Sequence, residues 1–299
     1  MNSGNSPLAG RMGRIGLGCV TFGREIGETE AFAIMDRAVA RGVTHFDTAQ
    51  AYAAGASESV VGAWLASRRP GLGSLVIGTK MLAPYTPERV AECVGLSLKR
   101  LGPGGTGLFY MHQWTEEAAS PEALGAFDQA LRSGSIGALG VSNFSFEQLE
   151  RVLRIQDERG YAPVRAIQNN HNFAVRHVTP ALKQLCERRG IEIVTYSPLG
   201  AGFLTGKHKA GVEKGSRFDI IPGHQKVYFN DESWARLRTL EAIAAKTGRS
   251  MPELALAWVF RQPGVGTVLV GGRTSAQLDQ AFDALALSGR EPLSELSGT

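Results

Sequence analysis

The chain has 299 residues, 43% hydrophobic and 20% charged, with 32 Lys and Arg against 28 Asp and Glu for a formal net charge of +4. This is ordinary soluble globular composition, and at such a length folding buries roughly three quarters of the unfolded surface, so a core needs neither disulfides nor a structural metal. Basic residues are spread along the chain and usually alternate with acids, as in Glu187-Arg188-Arg189, which reads as solvated helix faces and not as a nucleic-acid surface.

In chain order, Met1 to Gly13 is rich in Gly, Ser and Asn without an apolar core, so no signal peptide is expected. Arg14 to Gly18 reads as a short buried strand, and Thr29 to Arg41 carries Phe32, Met35 and Val39 at helical spacing. Further strands are predicted at Val43–Phe46, Leu75–Thr79, Leu108–Met111, Ala138–Val141, Val164–Gln168, Ile191–Thr195 and Gly266–Val270, which with the first makes eight. Between them, Thr86-Pro87-Glu88, Ser120-Pro121-Glu122 and Thr179-Pro180 each set a capping hydroxyl before a proline suited to the first helical turn. Gly42, Gly102, Gly160 and Gly190 mark helix ends.

The stretch Gly200 to Asp231 breaks this rhythm. It is too long for an ordinary connection and holds Gly, Lys, Arg, Phe and Tyr, so it reads as a functional loop after the seventh strand. A helix capped by Ser250 and running through Glu253 to Trp258 precedes the eighth strand. No linker and no long repeat interrupts the series. The α/β fold expected is therefore one domain over residues 1–299, a closed parallel (β/α)8 TIM barrel and not an open doubly wound sheet.

Cys19, Cys93 and Cys186 are far apart and form no CxxC or Cys/His cluster of metal-ligand spacing, so no metal is expected and a reducing, cytoplasmic setting is the simpler reading. No apolar run is long enough to span a bilayer.

In such a barrel the reactive groups belong where strands end and loops converge. Asp47, Lys80 and His112 follow three successive predicted strands, and Tyr52 lies in the loop after Asp47. A phenol is a poor proton donor and base at neutral pH until a nearby cation favours its phenolate; Lys80 supplies that charge, with Asp47 holding Lys80 ionised and His112 free to hydrogen-bond a substrate oxygen. This set suits protonation of an oxygen on which charge develops, as in carbonyl reduction. Taken singly, each of these residues also has a structural reading; their joint placement is what points to chemistry.

Gly16-Leu17-Gly18-Cys19-Val20-Thr21 lacks the third glycine of a dinucleotide fingerprint, and Gly202 to His208 lacks P-loop spacing, so neither a Rossmann site nor nucleotide hydrolysis is expected. Gly271-Gly272-Arg273-Thr274, in contrast, opens a helix continuing through Gln277 and Leu278, and a helix N-terminus beside an arginine attracts phosphate.

The ordered set Asp47-Thr48-Ala49 with Tyr52, Gly78-Thr79-Lys80, His112, Gly140-Val141-Ser142-Asn143-Phe144, Gln168 and Tyr196-Ser197-Pro198-Leu199-Gly200 resembles the aldo-keto reductases. The likeness runs from Gly16 through Thr274 and is similar to a branch of bacterial enzymes and potassium-channel β subunits. It implies Tyr52 as proton donor, Lys80 and Asp47 as its tuning pair, and His112 as the residue orienting a carbonyl. A nicotinamide cofactor would bring the hydride, which no side chain of the set can provide. The resemblance further implies that Ser142, Asn143 and Gln168 bind its carboxamide, that Tyr196 stacks on the nicotinamide, and that the turn Ser197-Pro198-Leu199-Gly200-Ala201-Gly202 wraps the pyrophosphate. Gly271 is a further cofactor-binding candidate, and Arg273, Thr274 and Gln277 look like the site for a 2′-phosphate, which favours NADP(H). Gln280-Ala281 departs from the Glu-Asn pair of many relatives, and looser adenine binding is expected.

Phe22, Trp114, Phe203, Phe218, Tyr228 and Phe229 fall on loops at the barrel mouth, where either packing or an apolar substrate wall explains them; Trp114 and Phe22 are the substrate-binding candidates. Arg217 suits a cofactor phosphate or an anionic substrate equally. The function expected is an NADPH-dependent oxidoreductase acting on a small-molecule carbonyl or the matching alcohol. A cofactor-binding regulatory protein with little turnover and a Schiff-base aldolase using Lys80 are the competing readings.

Overall fold

A computed structural model of the chain describes residues 8, 10–68, 75–102, 106–289 and 296. Of the Gly/Ser/Asn-rich start, residues 1–7 and 9 lie outside them. The strands are β1 Ile15–Gly18, β2 His45–Asp47, β3 Val76–Met81, β4 Leu108–Met111, β5 Leu139–Ser142, β6 Ala166–Asn170, β7 Glu192–Tyr196 and β8 Thr267–Val270. Each pairs in parallel with the next, and β8 closes onto β1 with Ile15 opposite Val268, giving a closed parallel barrel. The predicted strands are all present, with ends displaced by a residue or two; Asp47 and Lys80 lie within β2 and β3 instead of just beyond them.

The helices are α1 Glu28–Ala40, α2 Ala56–Ser67, α3 Pro87–Leu101, α4 Pro121–Arg132, α5 Phe146–Arg159, α6 Pro180–Arg189, α7 Arg217–Ile220, α8 Gln225–Tyr228, α9 Asp231–Thr247, α10 Met251–Phe260 and α11 Ser275–Ser288. The expected caps form: the hydroxyls of Thr86, Ser120, Thr179 and Ser250 accept from the backbone N–H of Arg89, Ala123, Leu182 and Glu253. Gly160 and Gly190 end α5 and α6 in the left-handed region. The segment after β7 is not an open loop. It folds into a 3-10 turn over Gly200–Thr205 and the short helices α7 and α8, and Asn230 caps the long helix α9, which the sequence reading did not separate from it. No described helix is long and apolar enough to cross a membrane.

Side chains alternate along a strand, so one parity of each strand fills the barrel and the other packs under the helices. The barrel interior holds Val76, Leu108, Tyr110, Ala166, Val194 and Leu269, with Leu8 and Met12 joining the same cluster. Two residues beyond Val76, Leu108 and Ala166 the same parity brings Gly78, Tyr110 and Gln168, and a further step brings Lys80 and His112. This parity gathers polar side chains from separate strands at one end of the barrel.

Candidate active site

Lys80 is fully buried, and its ammonium donates to Asp47 Oδ2 at 2.5 Å and to the Thr48 carbonyl at 2.8 Å. The Tyr52 hydroxyl lies 3.5 Å from the same ammonium, and the Tyr52 ring meets the His112 imidazole edge-on with centroids 5.8 Å apart. The expected tetrad is therefore assembled by four separate segments: β2, the turn after it, β3, and the residue past β4.

The electrostatics differ from the simple expectation for the phenol. Burial alone would push the Lys80 ammonium down, but Asp47 and Tyr52 together outweigh it and hold Lys80 above its ordinary value. For Tyr52, burial is the largest influence and raises the phenol; the Lys80 charge draws it back only in part, because Asp47 pulls the other way. The result is a neutral phenol beside a locked cation. His112 is pushed down to about 3 by burial and by Lys80, so its imidazole is uncharged at neutral pH, and its Nδ1 is buried without a partner among the described residues. A lysine held protonated, with its donors committed to Asp47 and Thr48, is unsuited to nucleophilic attack, which weighs against a Schiff-base aldolase.

A cleft of about 760 Å³ opens beside this group. Asp47, Tyr52, His112, Ser142, Asn143, Gln168 and Tyr196 line it together with Gly271, Gly272, Arg273 and Gln277. On its β7 side, Ser197 (φ 54°), Gly200 (φ 60°), Ala201 (φ 57°) and Gly202 (φ 96°) take left-handed backbone, the kind that forms anion-binding concavities. Lys207, Lys214, Arg217 and Arg273 add cations to the same walls. On its β8 side, Thr274 caps α11, the Arg273 N–H donates to Gln277 Oε1 at 2.7 Å, and the Arg273 guanidinium donates to the Gly215 carbonyl at 3.1 Å. The cations and left-handed turns of these walls suit a polyanionic ligand lying alongside the tetrad.

The model for the Aldo/keto reductase family matches residues 14–291. The chain belongs to the aldo/keto reductase family. It is 28% identical to the "Uncharacterized oxidoreductase YrpG" of Bacillus subtilis over 93% of this chain and 89% of the relative. It is also 28% identical to "Protein tas" of Escherichia coli (91% and 89%) and 29% identical to "Probable aldo-keto reductase 1" of Glycine max (92% and 81%). Its general activity is that of an oxidoreductase.

Within this aldo/keto reductase, the residues expected at the carboxamide are partly engaged by one another. Gln168 Nε2 donates to Asp47 Oδ1 at 2.7 Å, Asn143 Nδ2 donates to the His112 carbonyl at 3.0 Å and to Ser142 Oγ at 3.1 Å, and the Tyr196 hydroxyl donates to Asn143 Oδ1 at 2.6 Å. Ser197, Pro198, Leu199 and Gly202 line the cleft, while Gly200 turns behind it against the Tyr228 ring.

The apolar substrate wall does not take the expected form. Phe22 is fully buried in the core and does not reach the cleft, and Trp114 packs edge-on against Phe144 at 5.2 Å instead of lining it. Phe203, Phe218 and Tyr228 are buried with Phe229 and Trp234 in an aromatic cluster that anchors the segment after β7. Sequence reasoning missed Thr21, Glu25, Lys207 and Lys214, which also line the cleft. Glu25 accepts from its neighbour Arg24 and from Arg217, each at 2.8 Å, and the second is a pairing between remote segments that no local pattern signals. The basic, glycine-containing run Gly206 to Arg217 was the available hint for the lysines.

Proposed function

We propose that the chain is an NADPH-dependent reductase of aldehyde and ketone carbonyls, and of the matching alcohols in reverse, with Tyr52 as proton donor. The observation that carries this is the convergence of the Tyr52 hydroxyl, the Lys80–Asp47 pair and a neutral His112 at one end of a cleft whose other walls suit a dinucleotide. When bound, the nicotinamide cofactor supplies the hydride. Ser142, Asn143, Gln168 and Tyr196 would hold its head, residues 197–202 its pyrophosphate, and Arg273, Thr274 and Gln277 its 2′-phosphate.

The chain's own residues then handle the oxygen. His112, uncharged, orients the substrate carbonyl by donating a ring N–H and leaves the proton transfer to Tyr52. Tyr52 gives its hydroxyl proton to that oxygen as negative charge builds there, and Lys80 stabilises the phenolate left behind. Asp47 keeps Lys80 cationic in a buried site where it would otherwise tend to lose its proton.

Loss of NADPH absorbance on a panel of aromatic aldehydes, α-dicarbonyls and keto-sugars, run beside Tyr52→Phe, tests the reading. Turnover that vanishes in the variant is expected. Tight NADPH binding with no turnover on any compound would favour a cofactor-sensing role instead.

A further inference from the structure

Glu58 is a fully buried carboxylate that does not line the cleft, and it stands in the first turn of α2, shortly beyond Tyr52. Its Oε1 accepts from the Thr79 hydroxyl at 2.6 Å and the Ser97 hydroxyl at 2.7 Å, and its Oε2 accepts from Arg100 Nη1 at 2.8 Å. Thr79 is the residue before Lys80 on β3, while Ser97 and Arg100 belong to α3. One carboxylate thus joins the element after Tyr52 to the strand that carries Lys80 and to a third element behind both.

The turn it holds is strained. Ala53 (φ 49°, ψ 42°) and Ala54 (φ 52°, ψ 35°) both occupy the left-handed region, which residues bearing a Cβ avoid and which persists only where the surroundings fix it. Arg100 presses directly on the end of this turn: a Cβ on Gly55 (φ 93°) would fall 2.4 Å from its guanidinium carbon. The buried Ser57 hydroxyl ties the start of α2 to Thr48 and the Cys19 carbonyl; the Glu58–Arg100 pair is the partner that registers the turn on β3, through Thr79.

We propose that Glu58 is a positioning residue for proton transfer: by tying the Tyr52 turn to the Lys80 strand, its carboxylate sets the separation between the phenol and the ammonium. The inference rests on Tyr52 being the proton donor. Without that tie the strained turn relaxes, the phenol drifts from the cation, and the attraction that favours its ionised form weakens with distance. The charged and titratable groups about Tyr52 are Asp47 on β2, Lys80 on β3, His112 past β4, Tyr196 on β7 and Arg217 on α7, and none of them is altered by the substitutions that test the tie.

Thr79→Val removes one hydroxyl at nearly constant shape and leaves Glu58 paired with Arg100; Thr79→Ser keeps the hydroxyl; Glu58→Gln removes the charge. The Tyr52 ionisation is read without substrate, as tyrosinate absorbance in each protein minus that of the same protein carrying Tyr52→Phe. Thr79→Val and Glu58→Gln should move this ionisation to higher pH and lower kcat about tenfold. Cofactor Kd should stay within about twofold, and Thr79→Ser should match the parent chain. An unmoved Tyr52 ionisation in Thr79→Val overturns the proposal whatever happens to kcat, and Thr79→Val alone decides if Glu58→Gln fails to fold. Full turnover in Tyr52→Phe would instead sink the proton-donor reading, a separate outcome.

Discussion

Gln168 donates its amide to Asp47 Oδ1 at 2.7 Å, on the opposite side of the carboxylate from Lys80. A residue expected to face a cofactor carboxamide therefore also completes the hydrogen bonding of the buried acid. Gln168→Leu should leave that oxygen without its partner, and a lost bond to a charged group of this kind is worth roughly tenfold in rate. We expect kcat to fall by that order together with weaker cofactor binding. Single-turnover rates at saturating cofactor separate the two effects; full single-turnover rate with only weakened binding would show that the Asp47 contact has no part in the chemistry.

If Tyr52 is the proton donor as proposed, the neutral phenol and neutral imidazole set the pH behaviour of reduction. Tyr52 is held above the ordinary phenol value of about 10, chiefly by burial. His112, at about 3, stays uncharged above mildly acidic pH. The donor is thus protonated throughout the neutral range, and kcat for carbonyl reduction should be level from about pH 6 to pH 9, declining only where Tyr52 begins to ionise. A basic limb centred below pH 8 in an initial-rate profile would contradict this assignment of the proton donor.

The barrel was legible because its signals are local and repeated. Each strand is a short apolar run, and the hydroxyl-proline starts at Thr86, Ser120 and Thr179 and the glycine ends at Gly160 and Gly190 fix helix boundaries from a few neighbouring residues. That Asp47, Lys80 and His112 would share one end of the barrel was legible for a related reason, since strand parity and strand ends place them whatever the loops do. Phe22 and Trp114 were not, because whether a loop aromatic faces a ligand or the core is decided by partners far away in sequence, here the core around Phe22 and the Phe144 ring. The same holds for Arg217 with Glu25, and for α9, whose cap Asn230 follows an aromatic, basic stretch with no break in composition.

Arg273 is exposed at the N-terminus of α11, with its backbone tied to Gln277 and its guanidinium to Gly215. A phosphate reached by this side chain would gain charge-assisted hydrogen bonds that a bare ribose hydroxyl cannot match. Arg273→Ala should weaken NADPH on the order of tenfold or more and change NADH by far less. Fluorescence titration of both cofactors against both proteins reads the difference directly. Equal losses for the two would remove the 2′-phosphate role and leave Arg273 as a tether for the Gly215 segment.

His171 gives the fold itself a pH dependence. It is 2% exposed, and its Nδ1 accepts the Val178 N–H at 3.3 Å, a bond that requires that nitrogen unprotonated. Burial first, then the charges of Lys183, Arg176 and His177, push it down to about 3. In the unfolded chain an imidazole titrates near 6.5. Between those values the unfolded state holds the proton and the folded state does not, so this contribution is complete above about pH 6.5 and is lost as pH falls. The loss reaches roughly 2 kcal/mol by pH 5, and His112 acts with the same sign. The urea midpoint should therefore drop from pH 7 to pH 5, and His171→Gln, whatever its effect at pH 7, should flatten that slope without abolishing it. A variant with the parent's full slope would mean that His171 is not the group taking up the proton.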